Sequence, residues 1–344
     1  MSPRLEVWAP DGMPEVVAGD DLAGLVLDAL DGDRVADPAR RLAHGDVLCV
    51  TSKVVSKSEG RTRPGERDAA VEEETVRVVA RRGPVRIVRN RLGLTMAAAG
   101  VDASNVAAGS VILLPVDPDA SARALREEVR RRTGTNVGVV VTDTSGRAWR
   151  EGQTDIAIGA AGLVVAEDFA GRTDLHGNAL AVTLPAVADE IAGAAELAQG
   201  KLAGRPVAVV RGRADLVLPP GDHGPGAASL VRPDGGDLFG WGAREAVVRA
   251  LAGDEADRAP FGVPASPDEL RAALARVLGA AHAPSPGSDA DLDRPGEPGG
   301  AALLLPVDAD HRVVAAVCFA HGWRVRRWER AGNDVVCDVS PATT

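Results

Sequence analysis

The chain has 344 residues, of which 45% are hydrophobic and 26% charged, and a net charge of −10. That length predicts two domains, and the acidic balance excludes general attraction to nucleic acid or to an anionic membrane. Aromatic residues amount to only 3% and tyrosine is absent, so the core must be built mostly from Val, Leu, Ala and Ile.

Cys49, Cys318 and Cys337 lie far apart with no C-x-x-C spacing. This argues against a disulfide framework or a zinc site and fits a reduced, cytoplasmic setting. The N-terminus shows no apolar targeting core, and no run reaches the roughly 18 apolar residues of a membrane span. A soluble protein is expected.

In chain order, residues 5–8 alternate like a short strand, and Asp20-Asp21 caps a helix over 22–30. Residues 46–51 read as a buried strand, 72–81 as a helix, 85–88 as a strand, and 111–114 as a strand ending at Pro115. Residues 121–133 form a charged amphipathic helix, 136–142 the next strand, 179–184 a further strand, 185–201 an Ala-rich helix and 206–211 a strand. The fold class is therefore α/β with a mixed sheet over residues 1–244. Beyond 245, Ser266 and Pro267 open a helix reaching residue 277. Residues 282–300 have the Pro, Gly, Ser and Asp content of a linker, closing a 245–300 helix-and-linker segment. Three possible strands at 301–305, 313–319 and 334–339 make 301–344 a small C-terminal β-rich module.

Four stretches carry candidate chemistry. The most informative begins with the apolar run Val139-Val140-Val141, which ends in Thr142-Asp143-Thr144 and is followed by Gly146, Arg147, Trp149, Arg150 and a Gln153/Asp155 pair. A buried strand delivering a carboxylate and a hydroxyl to its end, with guanidinium groups just beyond, suits a divalent cation beside a phosphate. Thr51-Ser52-Lys53-Val54-Val55-Ser56-Lys57 puts hydroxyls and ammonium groups after another strand, as phosphate contact requires, without forming a Walker A loop. Asp102, Ser104 and Asn105 follow a run of small residues, and Asp102 pairs naturally with Asp143 as a hard oxygen ligand for Mg2+ or Mn2+, Thr144 adding an oxygen. The fourth stretch is the Gly12-Met13-Pro14-Glu15-Val16 turn. Solvated lysines and Asx-turns explain several of these residues equally well without a ligand. Asp222, in a glycine loop, is a further candidate acid, and Arg147 and Arg150 are candidates for pairing with a substrate phosphate or carboxylate.

Together, Thr51–Lys57, Asn90-Arg91-Leu92-Gly93-Leu94, Ala98–Asn105, Leu114-Pro115-Val116-Asp117-Pro118-Asp119 and Thr142–Arg150 resemble the coenzyme F420-0:L-glutamate ligase family, over about residues 5–244. The resemblance implies the family's own α/β fold, an extensive homodimer, and GTP-dependent addition of L-glutamate to F420-0, with extension of a γ-linked tail in many members. Carried over by motif, it implies GTP contacts from Met13, Pro14, Glu15, Val16, Ser52, Lys57 and Asn105. It implies two divalent ions, Mg2+ or Mn2+, on Asp102, Asp143 and Thr144, with Asp222 as a third acid and K+ as a further candidate ion. Asp102, Asp143 and Arg147 are the expected catalytic residues. Some relatives carry a fused flavin domain; the region after residue 245 shows no matching pattern, so no FMN is expected. The competing readings are a metal-dependent phosphate-ester hydrolase on the same acids and a non-catalytic nucleotide-binding protein.

Overall fold

In the computed structural model, residues 4–233, 235–279, 285–286 and 300–342 are described. They divide into two compact units, Met1–Val78 with Val85–Val231 and Val79–Pro84 with Arg232–Thr344.

The first unit contains β1 (Glu6–Trp8), α1 (Leu22–Ala36), β2 (Val47–Thr51), α2 (Ser52–Ser58), β3 (Thr62–Pro64) and α3 (Arg67–Glu74). From α3 the chain enters β4 (Thr75–Arg82), whose last residues belong to the second unit. The first unit resumes with β5 (Val85–Asn90), β6 (Thr95–Ala97), β7 (Ser110–Ile112), α4 (Pro118–Thr133), β8 (Gly138–Arg147), β9 (Arg150–Ala161), α5 (Val187–Gln199) and β10 (Val207–Arg211). Its main sheet has the order β1-β10-β2-β8-β9. Only β2 and β8 run parallel; every other pair is antiparallel.

Continuous apolar runs make the central strands because both faces of the sheet are covered. Leu48, Val50, Val139, Val141 and Val209 point to one side, against Val26 and Leu30 of α1 and Ala122, Leu125 and Val129 of α4. Their chain neighbours Val47, Cys49, Val140, Ala208 and Val210 point to the other, against Ala188, Ile191 and Ala195 of α5. The two-residue alternation of a strand thus feeds two separate cores. Helix ends follow local chemistry. Asp21 caps α1 through Gly24 N at 3.1 Å, and α4 begins with Asp117 and Pro118 and stops at Gly134, which is left-handed (φ 72°).

Three sequence expectations in this unit need correction. Residues 72–81 are not one helix: α3 ends at Glu74 and the β-branched Thr75, Val76, Val78 and Val79 continue as β4. Residues 179–184 form no regular strand: Ala179 makes an isolated bridge with Thr173, Leu180 N donates to Arg172 O, and the Leu180 and Thr183 carbonyls accept from Gly171 N and Phe169 N. Finally, β8 does not stop at Thr142 but runs to Arg147, because β9 pairs with it along its whole length.

The second unit adds α6 (Ala243–Ala252), α7 (Pro267–Leu278), β11 (Ser285–Pro286), β12 (Ala301–Pro306), α8 (His311–Ala320), β13 (Trp323–Ala331) and β14 (Asp334–Pro341). Its antiparallel sheet has the order β11-β12-β14-β13. Leu270 and Leu274 of α7 pack with Leu303, Leu305, Val314, Cys318, Trp323, Cys337 and Val339. Residues 313–319, expected as a strand, are the body of α8. Asp310 caps that helix by accepting from Arg312 N and Val313 N, and Val314 and Cys318 are buried four residues apart, the helical period. The expected linker, 282–300, lies outside the described residues except for Ser285, Pro286 and Gly300. All three cysteines are free and buried, and burial pushes the Cys49 thiol well above its ordinary range, helped by the negative charge of Asp155. Among the described residues no helix is long and apolar enough to cross a membrane.

Candidate functional site

The site is built where the parallel pair β2 and β8 ends. Thr51 and Thr142 are cross-strand partners, so the next residues, Ser52 and Asp143, emerge side by side. Ser52 Oγ donates to Asp143 Oδ1 at 2.8 Å. A cavity of about 570 Å3 opens at these strand ends. Its walls come from residues 13–16, the start of α2, the 100–105 turn, the β8–β9 hairpin, the end of α5 and residues 204–206.

Thr142 and Thr144 share one face of β8, and Asp143 points to the other. On the threonine side stands Asp155 of β9, buried at 4% exposure, accepting from Thr142 Oγ1 at 3.2 Å and Thr144 Oγ1 at 2.7 Å. Lys201 Nζ donates to the same Thr144 hydroxyl at 2.8 Å. On the Asp143 side, Lys53 reaches across to the 102–105 turn, with its Nζ 2.6 Å from both Asp102 Oδ2 and Ser104 Oγ. The cavity therefore wraps around the tip of β8 and draws on both faces of the sheet.

The two acids differ in character. Burial pushes Asp143 up to about 6, with the charge of Asp155 adding to it and the Ser52 hydrogen bond and Lys53 opposing it. Burial also acts to raise Asp102, but hydrogen bonds from Lys53 and from the Ser104 backbone and hydroxyl outweigh it and hold the carboxyl at about 2. The turn carrying Asp102 is anchored by a two-way backbone bridge to Ile112. It is also a strained segment: Ala98, Ala99 and Asn105 have φ of 52°, 56° and 57°. At Gly100 a Cβ would come within 2.6 Å of Leu114, so no other residue fits without displacing that side chain.

Met13, Pro14, Glu15, Val16, Ser52, Lys57, Asp102, Asn105, Asp143 and Thr144 all line this one cavity. Lys57 Nζ pairs with Glu15 Oε1 at 2.5 Å, tying α2 to the 13–16 turn. Arg147 and Asp222 are not among the lining residues. The β8–β9 pairing carries Arg147 out to the hairpin tip, where it is exposed and donates to Glu151 O at 2.9 Å. Asp222 accepts from Gly224 N at 3.0 Å in a loop held by Arg126 of α4. Among the described residues no three His, Cys, Asp or Glu side chains converge as a ready metal cage. Any ion held here would use the two acids, Thr144, and oxygens brought by a ligand.

Sequence reasoning gave no role to Asp155, Glu196, Gln199 or Lys201. The signal for Asp155 is its two-residue offset in a strand facing Thr144. The signal for Gln199 is a polar residue continuing the buried stripe Ile191, Ala195 of α5.

The sequence model of the F420-0:Gamma-glutamyl ligase family matches residues 12–212, and the chain belongs to that family. Among curated proteins, a coenzyme F420:L-glutamate ligase of Archaeoglobus fulgidus is 41% identical over 230 residues, covering 61% of this chain and 88% of the relative. A protein of the same name from Halobacterium salinarum is 38% identical over 270 residues, covering 69% and 98%. Another, from Haloarcula marismortui, is 37% identical over 267 residues, covering 70% and 98%.

Proposed function

We propose that this protein joins L-glutamate to the carboxylate of coenzyme F420-0 at the expense of GTP, in F420 biosynthesis. The observation that carries this reading is the single cavity that gathers Asp102, Asp143 and Thr144 with the 13–16 turn, Ser52, Lys57 and Asn105, in a chain of the ligase family. A carboxylate is a poor electrophile, so amide formation at neutral pH needs activation. Transfer of the γ-phosphoryl group of GTP to the substrate carboxylate gives an acyl phosphate and GDP. The glutamate amine then attacks the acyl carbon, and phosphate leaves with the amide formed.

In this reading the 13–16 turn, Ser52 and Asn105 bind the nucleotide, and Lys57 adds positive charge near its phosphates. Lys53, already bonded to Asp102 and Ser104, keeps that acid ionised and holds the turn in place. The donor set of Asp102, Asp143 and Thr144 is all hard oxygen, which fits Mg2+ or Mn2+ shared with phosphate oxygens. Such cations, when bound, neutralise the charge that develops on a phosphoryl group in transfer. Asp155 orients the Thr144 hydroxyl from behind.

Incubation with GTP, Mn2+, L-glutamate and F420-0, followed by mass spectrometry, tests the proposal. The expected result is product heavier by one or more glutamate residues, with GDP formed in step. Phosphate release without ligation would instead indicate a hydrolase, and absence of turnover a nucleotide-binding protein.

A further inference from the structure

The β8–β9 ladder is irregular, and the break decides which side chain stands behind Thr144. Val139, Val140 and Val141 face Ala161, Ala160 and Gly159 in strict succession. The next residue, Thr142, faces Ala157, so Ile158 is passed over, and Asp143 and Thr144 then face Ile156 and Asp155. This is a one-residue bulge in β9. Packing agrees with it. Gly159 lies against Pro118 of α4, and its neighbour Ile158 joins the core of Ala122 and Leu125 from the same helix, whereas Ala157 belongs to the core on the α5 side. Two successive residues thus share one face.

A shift of one residue turns every later side chain of a strand to the other face. In an unbroken ladder Thr144 would face Ile156. Asp155 would then stand opposite Ser145, on the face of Asp143, and would crowd a second carboxylate against that acid. The bulge instead delivers Asp155 to Thr144, whose hydroxyl it receives at 2.7 Å. β9 is the edge strand of the sheet, so no further strand fixes its register. A side chain from α5 reaches this point. Asp189, half-buried in the first turn of α5, sends its carboxylate away from its own helix, and its Oδ1 accepts from Ala157 N at 2.9 Å. That amide adjoins the residue passed over, and Ala157 is buried, so its N–H needs a partner from the protein.

We propose that Asp189 is a positioning residue for the site: by accepting from Ala157 N it locks the bulge that sets Asp155 behind Thr144, and so fixes the Thr144 hydroxyl offered to a divalent cation. Asp189 itself is not among the residues lining the cavity and acts through the strand. This rests on the ligase reading above and adds to it a residue that holds the hard-oxygen donor set in register.

The test uses the full chain and compares the wild type with Asp189→Ala and Asp189→Asn, each assayed well below its own melting temperature. Mn2+ binding is read from the EPR signal of the free ion in the presence of a non-hydrolysable GTP analogue. Ligation is measured separately at saturating substrates. Asp189→Ala should weaken Mn2+ binding and lower kcat, each by about tenfold, the scale on which the partners of metal ligands act. Asp189→Asn keeps a carbonyl oxygen for the Ala157 amide and should stay within about twofold of the wild type in both. If Asp189→Ala does not fold, Asp189→Glu, which keeps the charge but displaces the accepting oxygen, decides by the same comparison. Unchanged Mn2+ affinity and kcat in Asp189→Ala, with only a lower melting temperature, overturn the proposal and leave the contact structural. Asp189→Asn impaired as much as Asp189→Ala also overturns it, because the charge and not the acceptor would then matter. A wild type that binds Mn2+ but ligates no glutamate sinks the ligase reading alone, and the Mn2+ affinities still decide the role of Asp189.

Discussion

Arg126 provides a quantitative test of how the first unit is held together. It lies on the charged helix α4 but is only 3% exposed. Its Nε donates to Val137 O at 2.9 Å and its Nη1 to Asp222 O at 2.6 Å. Nη2 donates to Asn136 Oδ1 at 3.0 Å, Leu218 O at 2.8 Å and Pro219 O at 3.0 Å. One guanidinium therefore satisfies four backbone carbonyls and pins the 218–222 loop to the start of β8. Arg126→Met keeps much of the apolar stem and removes every donor. The Val137 carbonyl is fully buried and loses about 2 kcal/mol; the Pro219 and Asp222 carbonyls and the Asn136 amide oxygen, which water can partly reach, lose about 1 kcal/mol each, whereas Leu218 O keeps the Asn136 Nδ2 donor at 3.0 Å. Removing a desolvated cation returns about 2 kcal/mol. The net destabilisation is about 3 kcal/mol, or roughly 6–12 °C in melting temperature for a unit of this size.

Calorimetry or a urea titration of the variant against the wild type reads this directly. Arg126→Lys should fall between the two, because a single ammonium cannot span acceptors arranged for a planar fork. None of the Arg126 acceptors lines the cavity, so glutamate ligation assayed well below the new melting temperature should be retained. A melting shift under about 2 °C would refute the accounting by hydrogen bonds. Lost activity in a fully folded variant would refute the placement of the Asp222 loop outside the active site.

Three further outcomes are expected. Gly159→Ala would bring a Cβ within 2.4 Å of the Pro118 backbone, where neither β9 nor the start of α4 can yield cheaply; a loss of about 1–3 kcal/mol or more should appear in urea midpoints. In chelator-treated protein, Asp143→Asn should be more stable than the wild type at pH 8 yet inactive. The folded-state pKa of Asp143, about 6, exceeds its ordinary 3.8, so ionising it opposes folding: the penalty is complete above pH 6 and gone below pH 4. Two units correspond to about 3 kcal/mol, discounted to about 2 for partial solvent contact, and a stability gap that does not close toward pH 4 would count against burial as the cause. Ser266→Ala removes the capping box that Ser266 and Glu269 form at α7, and should cost about 1 kcal/mol in the second unit's unfolding transition.

What could be read from the sequence follows from the range of the forces involved. β2, β8 and β10 are continuous apolar runs because helices cover both faces, and such runs identify themselves. The start of α7 was equally plain, since Ser266, Pro267 and Glu269 are local cap chemistry. The α3–β4 junction was not, because no Gly or Pro separates Glu74 from Thr75 and the helical spacing of the apolar residues runs on past it. The body of α8 is so apolar that its period is hidden, and only the Asp310 cap distinguishes it from a strand. β9 opens with Arg150-Glu151-Gly152-Gln153-Thr154-Asp155, a polar stretch that is extended only because β8 runs alongside it.

The same distinction governs the site. Ser52, Asp143 and Thr144 were legible because strand ends deliver their own next residues, and Thr51 and Thr142 happen to be in register. Arg147 is close to them in sequence, yet four residues of paired strand separate it from Thr142 and carry it to the hairpin tip. Asp155 is farther along the chain than Arg147 but nearer in space, because the hairpin folds it back beside Thr144. Gln199 and Lys201 are farther still and arrive through the packing of α5 on β9, a tertiary event with no local signature. A strand tip exposes both faces of its sheet, and a motif read along the strand accounts for only the residues that the strand itself supplies.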